Sequence, residues 1–155
     1  MAEKVVSKIS FEIKQIERLL ASYAGLLATS QQTTPALVEI TALASVLHSF
    51  YMGLENIFLV IAKDLDEHLP YGEQWHRNLL TQMTRKTEIR EQVISTELAA
   101  KLDGYLGFRH FFRHSYSFFL EWDRFSDLIG SLSDVWEQAR KEIEDFENGL
   151  GRDKT

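Results

Sequence analysis

The sequence predicts an all-α protein, an up-and-down bundle of four to five helices. Its 155 residues include only two prolines and eight glycines, so long segments are uninterrupted. Apolar residues in these segments recur at steps of three and four, which is the period of an amphipathic helix. No segment of the sequence shows the strict alternation of a strand, and β-hairpin turn signals are missing. Short connections between the periodic segments favour the up-and-down order.

The first two predicted helices are long. The connection between them, residues 29–35, is polar and ends in proline. We therefore expect Thr34 to cap the second helix, with Pro35 at its first position. The second helix is predicted over residues 36–68 and ends before Pro70. The first helix is marked by apolar positions at helical spacing: Val5, Ile9, Ile13, Ile16, Leu20, Tyr23 and Leu27.

The second half of the chain contains shorter predicted elements. Residues 73–83 form a short amphipathic helix, and the charged segment 84–95 is partly irregular. A helix over residues 97–102 is expected to end at Asp103 and Gly104. The final helix is marked by a long series of apolar positions: Trp122, Phe125, Leu128, Ile129, Leu132, Val135, Trp136, Ile143 and Phe146.

Length and composition predict one soluble domain. We expect a single helical domain over residues 1–150 and a polar tail over residues 151–155. The sequence contains no cysteine, which excludes disulfides and thiolate chemistry. No cleavable signal is visible, and the most apolar run, residues 57–62, is far shorter than the roughly 20 residues that cross a bilayer. These features predict a cytoplasmic protein that does not enter a membrane.

The charge distribution favours a local phosphate site over a broad nucleic-acid surface. The net charge is −6, which argues against binding of nucleic acid by the surface as a whole. The charge is uneven, because residues 134–147 are mostly acidic whereas residues 105–120 contain two arginines and no carboxylate. A second basic stretch is predicted from Arg77, Arg85, Lys86 and Arg90.

The segment 107–116, GFRHFFRHSY, contains the most informative pattern in the chain. It places Arg109 five residues before His114 and seven residues before Tyr116. Such side chains can bind a phosphodiester, transfer a proton and supply a phenolic hydroxyl. A neutral histidine can take the proton of a ribose 2′-hydroxyl while a guanidinium stabilises charge on the phosphate. Because DNA lacks this hydroxyl, the pattern favours RNA cleavage without a metal or another cofactor.

Helical geometry limits how these side chains can meet. In one continuous helix, Arg109 and Tyr116 share a face, whereas Arg109 and His114 lie about 140° apart. Convergence on one phosphate therefore requires a helix that ends near His114, or a second chain that supplies the missing partner. We expect either an interrupted helix or a symmetric homodimer with two such motifs facing each other.

These residues resemble the signature of the HEPN family, which is an arginine, a polar residue, three more residues and a histidine. The additional tyrosine resembles the variant found in HepT-type ribonuclease toxins. The segments FYMGLE at residues 50–55 and WHRNLL at residues 75–80, and the order of the helices, are also similar to that group. The resemblance extends over residues 50–147 and implies a HEPN-like bundle.

The resemblance implies a metal-independent endoribonuclease, the toxin of a type VII-like toxin–antitoxin pair, with Arg109 and His114 as the catalytic pair. Its RNA substrate would be tRNA or mRNA. The resemblance also implies a homodimer with a composite cleft and an antitoxin that is an MNT-type nucleotidyltransferase. That antitoxin would inactivate the toxin by AMPylation of Tyr116, because phosphate charge beside Arg109 would occupy the anion site.

The motif departs from the family pattern at two positions. His110 stands where asparagine is common, and its ring keeps a polar role. Arg113 stands where a small aliphatic residue is usual, so it either strengthens RNA binding or marks a divergent, inactive branch. A further supporting residue is Glu55, in an otherwise apolar helix. It either pairs with Arg109 and orients it or is solvated on the outer face.

Several alternatives stay open. A non-catalytic HEPN-like module would bind a nucleotide, RNA or the nucleotidyltransferase, and a purely structural dimerisation protein would have no site. His110 and His114, four residues apart, could ligate a metal, but no third ligand is obviously placed, so we expect none. For His76 we favour the bundle surface over the cleft. Tyr116 is either the modified residue or an aromatic residue of the core or dimer interface.

Overall fold

The computed structural model describes residues 2–114 and 120–152. Within these residues the regular structure is entirely helical, which confirms the all-α class. The six helices described are α1 (Ala2–Ser22), α2 (Ala24–Ser30), α3 (Leu37–Asp64), α4 (Trp75–Met83), α5 (Thr96–His114) and α6 (Trp122–Arg152).

The first predicted helix consists of two helices, α1 and α2. Tyr23, at φ −108° and ψ 14°, leaves the helical region and interrupts the helix for one residue. The amide of Leu27 still donates to the Tyr23 carbonyl at 2.9 Å, so the break is local. Gln31, just after α2, lies against Gly130 of α6. A pattern of apolar spacing alone does not detect such a break, because apolar residues at helical spacing continue on both sides of Tyr23.

Helix α3 forms the centre of the bundle and packs against α1, α4, α5 and α6. Its N-cap is Ala36, whose amide donates to the Glu39 carboxylate at 2.8 Å. The expected cap at Thr34 and first position at Pro35 are therefore wrong by two residues. By length and hydropathy α3 could span a bilayer. Most of its apolar side chains between Leu43 and Ala62 are buried against the other helices, as in the core helix of a bundle, whereas Leu37, Val38 and Met52 are exposed.

The irregular segment between α4 and α5 is held by a buried arginine. Arg90 forms an ion pair with Asp66 and also donates to the backbone carbonyls of Arg85, Gln82 and Glu91. The predicted second basic stretch is consequently not a free cationic surface, because Arg90 is buried in this contact. Two other members of the stretch are also paired: Arg77 with Asp103, and Lys86 with Glu91.

Helix α5 is longer than predicted. It runs without interruption from Thr96 to His114, so the expected end at Asp103 and Gly104 is wrong. A β-carbon at Gly104 would lie 3.2 Å from the Leu128 side chain of α6. The glycine therefore allows close approach of two helices rather than ending one. The Tyr105 hydroxyl, one residue on, donates to the Leu128 carbonyl at 2.6 Å and joins the same two helices.

Helix α6 matches the predicted final helix. At its C-terminal half, the Glu142 carboxylate accepts hydrogen bonds from the Ser95 amide at 2.6 Å and the Ser95 hydroxyl at 3.1 Å. The Ser95 hydroxyl oxygen also accepts the Leu98 amide at 3.0 Å, which caps α5. The buried side of α6 carries Phe125, Ile129, Leu132, Val135, Trp136, Ala139, Ile143, Phe146 and Leu150.

Candidate functional site

A cleft of about 620 Å³ lies between the start of α4 and the C-terminal half of α5. Glu73 is the carboxylate among the residues that line it. Six of its lining side chains are basic: His76, Arg77, Arg109, His110, Arg113 and His114. In a chain with a net charge of −6, the cleft is therefore a local concentration of groups that bind anions.

Glu55 of α3 lies behind the cleft and contacts two of these basic groups. Its side chain is 6% exposed, and its Oε2 is 2.7 Å from Nδ1 of His76. Its other oxygen, Oε1, is 3.7 Å from an Nη of Arg109. The alternative in which Glu55 is solvated on an outer face is therefore wrong. One buried carboxylate joins a histidine of α4 to an arginine of α5.

The contact with Glu55 determines which nitrogen of the neutral His76 ring carries the hydrogen. An ionised carboxylate can only accept hydrogen bonds, so Nδ1 of His76 carries the hydrogen and donates it. The second ring nitrogen, Nε2, is then the atom able to accept a proton. The ring also stacks on Trp75, with ring centroids 3.6 Å apart, which fixes its plane. The preference for a surface position of His76 is wrong, since its side chain is 22% exposed and lines the cleft.

Arg109 is buried and has unused hydrogen-bonding capacity. Its side chain is 9% exposed, and its Nε has no acceptor among the described residues. The 3.7 Å approach to Glu55 is an ion pair that is too long for a hydrogen bond. Because Nε is itself buried, an anion in the cleft would be bound by the Nη groups, which supply four of the five N–H donors of the guanidinium.

The other motif residues lie at the exposed end of the cleft. His110, Arg113 and His114 are all exposed, and the ring centroids of the two histidines are 4.6 Å apart. Arg109 and His114 lie on α5 with no break between them, and α5 ends at His114, which is where one of the two expected alternatives placed a helix end. Both nevertheless line the cleft, Arg109 from its buried side and His114 from its exposed side. In the described part of the chain, no group of three potential metal ligands is found.

The third motif position lies outside the described residues. Tyr116 falls within residues 115–119, so its position relative to Arg109 remains a prediction from the sequence.

Two further residues near Arg109 were not predicted from the sequence. His48 of α3 packs against Phe112, with ring centroids 5.1 Å apart. Burial lowers the pKa of His48, and the positive charges of Arg109 and Arg113 lower it further. Tyr51, one turn along α3, is buried, and burial together with the Glu55 charge raises its pKa. Both side chains are therefore neutral neighbours of the charged groups at neutral pH.

The fold and the cleft define an all-α protein with a cationic, histidine-lined site. A family model described as HepT-like protein matches residues 42–150, a range that includes Glu55, His76 and Arg109. The chain therefore belongs to the HepT-like family, and the resemblance inferred from the sequence is confirmed at that level. The comparisons with curated proteins and with solved structures found no match to the chain.

Proposed function

We propose that the protein is a metal-independent endoribonuclease that acts as the toxin of a toxin–antitoxin pair. The observation that carries this proposal is the buried guanidinium of Arg109, with unused donors, in the same cleft as His114. A cleft of about 620 Å³ has a volume typical of small-ligand sites and can accommodate a nucleotide. Family membership supports a toxin–antitoxin context.

The chemistry follows from the side chains in the cleft. Arg109 binds the scissile phosphate and stabilises the negative charge that grows in the transition state. His114 transfers protons between the RNA and solvent, as histidine does near neutral pH. Attack of the ribose 2′-oxygen on phosphorus breaks the bond to the 5′-oxygen and leaves a 2′,3′-cyclic phosphate. His110 and Arg113 supply additional hydrogen bonds and charge at the exposed end of the cleft.

The finer features of the proposal come from the resemblance to HepT-type toxins. They include a homodimer in the cytoplasm, a tRNA or mRNA substrate and inactivation by an MNT-type nucleotidyltransferase that AMPylates Tyr116. The cationic lining of the cleft supports the last feature, because an added phosphate could bind there and exclude RNA. An intact-mass measurement after co-expression with an MNT-type nucleotidyltransferase tests it. A mass increase of AMP units mapped to Tyr116 is expected, and an unchanged mass with full cleavage contradicts it.

Cleavage of total tRNA and of a synthetic mRNA by the purified protein tests the catalytic proposal. The wild type is expected to cleave RNA in EDTA and to leave DNA of the same sequence intact. Arg109→Ala and His114→Ala are expected to lower the rate by a factor of about 100 or more. Arg124→Ala is the matched control, because this exposed arginine pairs with Glu121 away from the cleft. Cleavage that requires a metal, or that survives both cleft variants, would contradict the proposal.

A second candidate is a non-catalytic module that binds RNA, a nucleotide or the nucleotidyltransferase. The exposure of Arg113 at the cleft supports it, because this residue replaces a small aliphatic residue of the family pattern. Such a module would bind RNA without cleaving it, and Arg113→Ala would weaken binding. A purely structural dimerisation protein would show neither RNA binding nor cleavage.

A further inference from the structure

We propose that His76 is the general base of the reaction, and that Glu55 is the positioning residue that holds it. This inference rests on the proposed ribonuclease function and assigns a proton-transfer role outside the sequence motif. Its basis is the contact between His76 Nδ1 and Glu55 Oε2, 2.7 Å apart, in the wall of the Arg109 cleft.

The reaction requires two proton transfers at different atoms. The 2′-hydroxyl must lose a proton as its oxygen attacks phosphorus, and the departing 5′-oxygen must gain one. Two histidines on opposite sides of the phosphate can do both in one step. The cleft is lined by His76 of α4 and by Arg109 and His114 of α5. The two histidines therefore come from different elements and can approach a phosphate from different sides.

The surroundings of His76 favour the role of base. The ring is held by Glu55 at Nδ1 and by Trp75 on its face, which leaves Nε2 to accept a proton. A buried carboxylate at Nδ1 stabilises the imidazolium that forms when Nε2 takes a proton, as in a catalytic triad. His114 is exposed at the end of α5, so it can regain protons from solvent and suits the role of acid.

Glu55 also links the base to the phosphate-binding group. Its Oε1 is 3.7 Å from the Arg109 guanidinium while Oε2 holds His76. The carboxylate thereby fixes the distance between the proton acceptor and the phosphate site, which is the positioning that catalysis requires.

His76 Nε2 takes the 2′-hydroxyl proton, and the 2′-oxygen forms a bond to phosphorus. The bond from phosphorus to the 5′-oxygen breaks, and this oxygen receives a proton from the His114 imidazolium. The products are a 2′,3′-cyclic phosphate and a 5′-hydroxyl. Proton exchange with water then returns both histidines to their starting forms.

Two synthetic substrates separate the two histidines. Each is a DNA oligonucleotide with a single ribonucleotide at the scissile position, and in one of them sulfur replaces the bridging 5′-oxygen. A thiolate leaves without protonation, so loss of the acid matters little for that substrate. His76→Gln keeps a donor for Glu55 but cannot accept the proton. We expect it to slow cleavage of both substrates by a factor of about 100 or more. His114→Ala is expected to slow only the oxygen substrate.

Two further variants separate catalysis from structure. Glu55→Gln still accepts the Nδ1 hydrogen but lacks the charge, so kcat is expected to fall by about 10- to 100-fold on both substrates with KM little changed. It also provides a second test should His76→Gln fail to fold. His68→Ala is the matched control, because His68 is exposed and does not line this cleft. It should retain the wild-type rate.

The outcomes distinguish the inference from the function on which it rests. Wild-type rates in a folded His76→Gln variant, with Arg109→Ala inactive, would overturn the role of His76 and leave the ribonuclease intact. Unchanged kcat in Glu55→Gln would overturn the positioning role. If the sulfur substrate restored the cleavage rate of His76→Gln and not that of His114→Ala, His76 would be the acid and His114 the base, and the assignment would be overturned. A wild-type protein that cleaves no RNA would overturn both proposals.

Discussion

The Arg90 guanidinium binds both carboxylate oxygens of Asp66, with Nε 2.6 Å from one and an Nη 2.7 Å from the other. Both side chains are almost fully buried, at 0% and 6% exposed. Asp66 lies just after α3 and Arg90 lies between α4 and α5. The pair therefore joins the two ends of the segment that contains α4. It thereby helps to hold His76 of α4 beside Glu55.

Asp66→Ala is expected to lower the free energy of unfolding by about 3–5 kcal/mol, because it leaves a buried guanidinium without its carboxylate. Chemical denaturation in urea measures this change. Glu91→Ala is the matched control, because it removes the Lys86 ion pair whose side chains are both 69% exposed. It should cost at most about 1 kcal/mol. Equal losses in the two variants would contradict the structural role of Asp66.

Gly53→Ala is expected to destabilise the packing of α1 on α3. A β-carbon at residue 53 would lie 2.6 Å from a side-chain carbon of the buried Ile16, so the side chain or the helix must shift. The expected cost is about 1–3 kcal/mol. Gly149→Ala, where a β-carbon meets nothing within 4 Å, should instead stabilise α6 by about 0.5–1 kcal/mol. Thermal unfolding of both variants checks the difference in sign.

His48 is expected to make the protein less stable in mild acid. Its folded-state pKa lies below the ordinary value of 6.5, so the unfolded chain binds a proton more readily. This contribution to stability is present above pH 6.5 and is lost as the pH falls below that value. When the pH is lowered from 7.5 to below 6.5, the Tm of His48→Gln should decrease less than the Tm of the wild type. A His68→Gln control should keep the wild-type slope, and the same slope in His48→Gln would refute this source of acid sensitivity.

Arg109→Lys tests whether charge alone suffices in the cleft. Lysine supplies a point charge but lacks the planar fork that binds two phosphate oxygens. We expect RNA cleavage to fall by at least about tenfold while the protein remains folded. Cleavage of the single-ribonucleotide substrate measures the effect, with Arg124→Lys as the control. Full activity of Arg109→Lys would show that bidentate binding is not required.

The long helices could be predicted from the sequence because their apolar spacing records burial directly. The continuity of α5 could not, because Gly104 is a helix-ending signal by itself and its role depends on the Leu128 side chain of another helix. Packing against another helix therefore outweighs the local tendency of Gly104 to end α5.

The candidate site could be predicted only in part. Arg109 and His114 follow from the motif, and contact between Glu55 and Arg109 was one of two alternatives. The position of His76 depends on the irregular segment that Arg90 holds, and nothing in the spacing of the sequence encodes that contact. The feature of the sequence that indicates such a contact is a carboxylate at Glu55 within an apolar helix, which requires a buried partner.

The shared carboxylate of Glu55 constrains how this protein can evolve. Replacement of Glu55 by an apolar residue would leave Arg109 as a buried charge without its counter-ion and would release His76, so one substitution breaks two contacts at once. Replacement of Arg109 alone leaves Glu55 with His76 as its partner. Lineages that abandon the cleft are therefore expected to change these three positions together, and lineages that keep it should change none of them.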